Sequence, residues 1–106
     1  MDTVQYKLWL DDERYPTDGT VWVIARNFSD ARWYVENYGL PQFISFDHDL
    51  GASKITGMDF CKWFCNHIMD NDLPYNGMEY AVHSANPVGA ANIDGYMAQF
   101  LEDYWK

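Results

Sequence analysis

The sequence predicts an α/β fold, a small three-layer arrangement built on a mainly parallel four-stranded sheet with about three helices. Three observations predict it. Four short apolar runs rich in β-branched and aromatic residues recur along the chain, amphipathic helical patterns separate or follow them, and carboxylates and histidines stand immediately after the runs. Strands that alternate with helices imply right-handed crossovers and a parallel sheet covered on both faces.

The runs are YKLWL at 6–10, VWVIA at 21–25, QFISF at 42–46 and EYAVHS at 79–84. The first helical pattern extends from Ser29, a candidate N-cap, to Tyr38, with Ala31, Tyr34, Val35 and Tyr38 on one face and Gly39 and Pro41 as a stop. The second opens at Thr56, whose capping partner is Asp59, aligns Cys61, Phe64, Cys65 and Ile68, and ends before Pro74. The third starts from Asn86 as cap and Pro87 at the first helical position, then places Ala90, Ile93, Met97, Leu101 and Tyr104 on one stripe. Only about ten residues, DDERYPTDGT, join the first two strands, too few for a full helix. Either this crossover is a bare loop or strand two is not a parallel neighbour of strand one.

A chain of 106 residues is expected to form one domain over 1–106, and an apolar share of 48% can supply its core. The net charge of −9 opposes any broad grip on duplex nucleic acid or an anionic membrane. With no long apolar run and no basic leader pattern, the expected location is the cytoplasm. Cys61 and Cys65, four apart on a helix, read as packed reduced thiols, and His67 among apolar neighbours reads as structural.

In an open parallel sheet, ligands bind beyond the carboxyl ends of the strands, so residues following each run converge. They are Asp11, Asp12, Glu13 and Arg14 after the first strand, Asp47, His48 and Asp49 after the third, and His83, Ser84 and Asn86 at the end of the fourth. Taken singly, such carboxylates usually cap helices or make turns. Together they would repel one another unless a cation neutralised them, and Mg²⁺ or Mn²⁺ suits oxygen ligands, with Asp11, Asp12 and Asp47 preferred. His48 and His83 could divide general base and acid work at one phosphate, or be an exposed loop residue and a hydrogen-bonded rim residue. Arg14 could grip a phosphate oxygen or make a surface ion pair with Asp12 or Asp18. Asn86 and Ser84 could present donors at the start of the third helix.

LWLDDER, FDHDL, TGMDF and VHSAN resemble, in that order, the receiver domain of response regulators, a flavodoxin-like fold. Asp11, Asp12, Asp47 and Ser84 match its acidic pair, phosphoacceptor and strand-four hydroxyl. Receivers add a fifth strand followed by a lysine, which this chain is expected to lack. LWLDDERYP, ISFDHDLG, the TG before the second helix and VHSANPVGAANI look more like the cyclic-phosphate-processing receiver-like family, a shortened relative found in bacteria and phages. That resemblance implies processing of cyclic or terminal phosphates of nucleotides or RNA by Asp11, Asp12, Asp47, His48, Asp49, His83, Ser84 and Asn86.

The resulting expectation is a metal-assisted phosphoesterase acting on a small nucleotide or RNA-end phosphate. His48 and His83 would exchange protons, Asp49 would orient His48, and Arg14, Ser84 and Asn86 would hold phosphate oxygens. The alternatives are a cyclic-nucleotide sponge or sensor, using aromatics such as Trp9, Tyr15, Trp22 and Trp105 to stack a base, and, ranked last, a phosphoacceptor switch at Asp47.

Overall fold

The computed structural model describes residues 5–51 and 54–105. Its strands are β1 (Lys7–Leu10), β2 (Val23–Ala25), β3 (Phe43–Phe46) and β4 (Glu79–Val82), and its helices α1 (Phe28–Tyr38), α2 (Gly57–Asp70) and α3 (Pro87–Asp103). The strands form one sheet in the order β2-β1-β3-β4, parallel throughout. The architecture is a compact α/β receiver-like fold.

Alternation divides the sheet into two faces. Leu8 and Leu10 of β1 and Ile44 and Phe46 of β3 are fully buried on one of them. All three helices stand against this face. Phe46 meets Phe60 of α2, Phe28 of α1 packs edge-on against Phe60, and Cys65 of α2 touches Met97 of α3. Cys61 and Cys65 are buried, unlinked thiols, as expected.

The second face carries Lys7, Trp9, Phe43 and Ser45, and the layer over it is the β1–β2 connection, with no helix in it. Trp22 of that connection lies edge-on to Trp9 at 5.4 Å and to Phe43 at 5.6 Å, while the Lys7 ammonium sits 4.2 Å above its ring. Asp18 ties the loop down by accepting from Trp22 Nε1 at 3.0 Å and Lys7 Nζ at 3.2 Å. Strand two is therefore a parallel neighbour reached by a bare loop, with Leu8 opposite Val23 and Leu10 opposite Ala25.

Local capping chemistry sets the helix starts. Thr56 and Asp59 close the capping box of α2, and Asn86 Oδ1 accepts from Gly89 N at 3.0 Å at the head of α3. The N-cap of α1 is Asn27, not Ser29: its Oδ1 accepts from Asp30 N at 2.8 Å. Starting there places Phe28 inside the helix, where it reaches Phe60 and Trp63. The buried stripe of α3 also ends on Phe100 in place of Tyr104, because Trp105 beyond the helix fills the core there. His67 stacks at 4.9 Å on Trp63 of the same helix. No helix among the described residues is long and apolar enough to cross a membrane.

Candidate functional site

The in-register sheet assembles the site. Leu10 pairs with Phe46 and Phe46 with Val82, so the next residues, Asp11, Asp47 and His83, come level at the carboxyl edge. Each extends the ladder by one bond: Asp11 N donates to Ala25 O (3.1 Å), Asp47 N to Leu10 O (2.9 Å) and His83 N to Phe46 O (2.9 Å). Alternation turns all three toward the second face. Their potential ligand atoms lie within 4.8 Å of one another.

Asp11 is the hub of this row and is fully buried. Its Oδ1 accepts from the backbone N–H groups of Glu13 and Arg14, each at 2.9 Å. Its Oδ2 accepts from Arg14 Nε at 2.8 Å and faces His83 Nε2 at 3.0 Å. Burial alone would raise the pKa of this carboxyl, but the two backbone donors, His83 and the Arg14 charge outweigh it and hold it below the usual range. Arg14 bridges to Asp47, with Nη2 3.4 Å from Oδ2, and these two carboxylates stabilise its charged form against partial desolvation. It does not pair with Asp12 or Asp18.

His83 is wedged between three partners. Its ring stacks on Trp9 at 3.8 Å and 8°, its Nε2 meets Asp11, and its Nδ1 lies 2.7 Å from Ser45 Oγ. Burial lowers its pKa and prevails over the opposing pull of Asp11. The neutral ring that results carries its proton on Nε2, donating to Asp11, and accepts at Nδ1 from the Ser45 hydroxyl. His83 is the hydrogen-bonded rim residue that the plainer sequence reading describes.

His48 is held differently. Its Nδ1 pairs with Asp49 Oδ1 at 2.9 Å, and that bond, helped by a contact from Asn86 Nδ2, lowers the pKa of Asp49 against a small opposing effect of desolvation. Nε2 of His48 has no hydrogen-bond partner among the described residues. The ring is no free loop side chain, since it rests on α3 at Gly89, where a Cβ would fall 2.3 Å from its Cγ. The backbone beneath is locked as well: Gly57 N donates to His48 O at 2.7 Å, and a Cβ on Gly57 would stand 1.7 Å from Asp47 O. Ser84 Oγ accepts from Asn86 N at 3.1 Å, which commits it to the turn before α3.

A cleft of about 320 Å³ opens beside the row, lined by Asp12, Glu13, Arg14, Asp47, Asp49, Gly51 and Ala85. Its one lining cation is Arg14. Asp12 leans against Gly51 across this cleft, and His83, not Asp12, completes the close group with Asp11 and Asp47. A carboxylate has about four lone-pair positions, and Asp11 has four donors on them. Arg14 already engages Asp11 Oδ2 and Asp47 Oδ2, so a divalent ion bound through those two oxygens would compete with that guanidinium.

Several contributors escape a linear reading. Ser45 is the lone polar residue inside an apolar strand, which is a usable signal; Arg26, whose Nη1 donates to Asp11 O (3.0 Å) and Arg14 O (2.8 Å), leaves none. Gly89, a glycine within the first turn of a helix, signals close packing.

A four-stranded parallel sheet with an acidic pair after β1, an aspartate after β3 and a histidine after β4 defines a receiver-like α/β domain. The match of residues 6–99 to the model of the cyclic-phosphate processing receiver domain goes further, and the chain belongs to that family. Comparison with curated proteins and with solved structures gave no significant match.

Proposed function

We propose that this protein hydrolyses a cyclic phosphate of a nucleotide or RNA end, with His48 as general base and Arg14 as the phosphate anchor. The observation that carries the reading is the unequal wiring of the two imidazoles. Asp49 on Nδ1 fixes the His48 tautomer that leaves a lone pair on Nε2, the arrangement a general base needs. His83 has both nitrogens engaged, and its lowered pKa keeps it neutral, so it suits the holding of Asp11 more than proton donation.

In the proposed step, water attacks phosphorus, its proton passes to His48 Nε2, and the ring P–O bond breaks. The leaving oxygen takes a proton from solvent in the open cleft, so one water is added overall. Arg14 Nη1, which has no hydrogen-bond partner among the described residues, meets a phosphoryl oxygen and offsets charge there. Asn86 positions Asp49, and Ser84 shapes the turn that holds Asn86.

The cleft charge favours a cyclic substrate. Four carboxylates line it with one guanidinium, an unwelcoming surface for phosphate in general. A cyclic diester carries one negative charge, whereas the monoester product carries about −1.5 to −2 at neutral pH. Repulsion therefore acts more strongly on the product and promotes its release. Mg²⁺ or Mn²⁺ enters this proposal only as a competitor of Arg14 for the same carboxylates.

Mass spectrometry of 2′,3′-cyclic, 3′,5′-cyclic and cyclic oligonucleotides incubated with pure protein, with Mg²⁺, Mn²⁺ or chelator, tests the reading. The expected product is heavier by one water and forms with chelator present. A ligand recovered intact on denaturing the protein would establish a binding module and remove the hydrolase.

A further inference from the structure

Four aromatic residues offer themselves in the sequence as platforms for a base, and the structure uses three of them elsewhere. Trp9 has His83 on its face and Trp22 at its edge. Trp22 is covered by Lys7 and anchored through Asp18, and Trp105 is 3% exposed in the core. Tyr15 is 69% exposed, although it belongs to the same loop as Asp11 and Arg14.

Its ring is nevertheless held. The Arg26 guanidinium lies over one face, with Cζ 4.4 Å from the ring centroid. That guanidinium is pinned in turn by the carbonyl oxygens of Asp11 and Arg14, at 3.0 and 2.8 Å. Arg26 follows Ala25, the partner of Leu10, so it stands in the same strand-end row as Asp11, Asp47 and His83. One face of Tyr15 is thus backed by a cation fixed to the backbone of the site, and no other aromatic ring or cation among the described residues stacks on Tyr15. Arg14 is the residue immediately before it.

We infer that Tyr15, backed by Arg26, is a stacking platform for the nucleobase of the substrate whose phosphate Arg14 holds. The inference rests on the proposed phosphate chemistry and narrows it to nucleosidic phosphates. A flat exposed ring accepts any base, because every base has a π face, so the platform confers preference for a base without choosing among bases. Arg26 contributes by holding the ring in place and by its charge on the side away from the ligand.

Calorimetric titration of adenosine 2′,3′-cyclic phosphate, base-less glycerol 1,2-cyclic phosphate and adenosine into wild type, Tyr15→Ala and Tyr15→Phe tests it. The adenosine cyclic phosphate should bind Tyr15→Ala roughly 5- to 150-fold more weakly than wild type, with Tyr15→Phe retaining affinity. The glycerol compound should bind all three proteins alike. Equal affinity of Tyr15→Ala and wild type for the adenosine cyclic phosphate overturns the platform and leaves the phosphate reading standing. Adenosine binding that is lost in Tyr15→Ala, with no binding of the glycerol compound, supports the platform and overturns the phosphate anchor. If none of the three ligands binds wild type, both fall.

Discussion

His83 and His48 stand at the ends of adjacent strands, and the protein treats them in opposite ways. His83 is locked between Trp9, Ser45 and Asp11, with both ring nitrogens engaged. His48 is fixed at one nitrogen by Asp49 and braced by Gly89 from below. The same residue type is thus an internal strut in one place and, in the other, a ring with one nitrogen uncommitted among the described residues, which is the basis of the proposed role as base. The difference teaches that catalytic competence depends on which atoms remain uncommitted, a property set by neighbours and not by the side chain itself.

Removing the poised ring should break the comparison most sharply. His48→Ala is expected to lower turnover of a cyclic phosphate by about 10² to 10⁴ while leaving the urea unfolding midpoint close to wild type. Turnover unchanged in the folded variant would end its role as base. His83→Ala should act on stability, since it strips a hydrogen bond from a buried charged carboxylate, at a cost of roughly 1.5–3 kcal/mol by urea denaturation. A loss of activity in His83→Ala without loss of stability would reverse the assignment.

Gly89→Ala sharpens the contrast from the helix side. The added methyl meets the His48 ring, which should cost about 1–3 kcal/mol and displace the base. In a His48→Ala background the ring contacts are gone but the Cβ at position 48 still stands 2.8 Å from the added methyl, so the same substitution should cost clearly less than in the wild type without becoming stabilising. The double-mutant cycle, read by thermal unfolding, reports whether the ring and the glycine are in contact.

Smaller effects follow from pH and from the cap. The pKa of His83 is lowered below its ordinary value of about 6.5, so as pH falls beneath that value the unfolded chain binds a proton that the folded chain does not. Stability should decline from there downward, and decline again once Asp11, also lowered, begins to favour protonation on unfolding below about 3.8. Urea midpoints collected from pH 8 to 4 should flatten near 6 in His83→Gln; an unchanged slope would show that His83 does not cause the decline. Asn86→Ala removes the cap of α3 and one contact to Asp49, costing about 1 kcal/mol with a modest loss of turnover.

Much of this was legible in advance, and the reason is locality. Periodicity located all four strands, and Thr56 with Asp59 and Asn86 with Pro87 marked two helix starts, because a cap involves residues only a few positions apart. The start of α1 was not decided locally, since Asn27 and Ser29 are both good caps; the packing of Phe28 on Phe60 and Trp63 selects between them. The loop between β1 and β2 was correctly too short for a helix, but its path over the second face depends on Trp22 meeting Trp9, a contact between the loop and β1 made by residues 13 positions apart in the chain.

By itself, the sequence determined which residues reach the rim, because strand ends follow from patterning and a parallel sheet gathers whatever comes next. Asp11, Asp12, Arg14, Asp47, His48, Asp49, His83, Ser84 and Asn86 are all named by that logic. What each atom does there was decided by tertiary structure alone. Arg14 lies across Asp11 and Asp47, Ser45 reaches His83 from 38 positions away, and Gly89 makes room for His48. Hydrogen bonds are directional and short, so the partner of a side chain is settled only when the sheet register brings distant residues within about 3 Å of it.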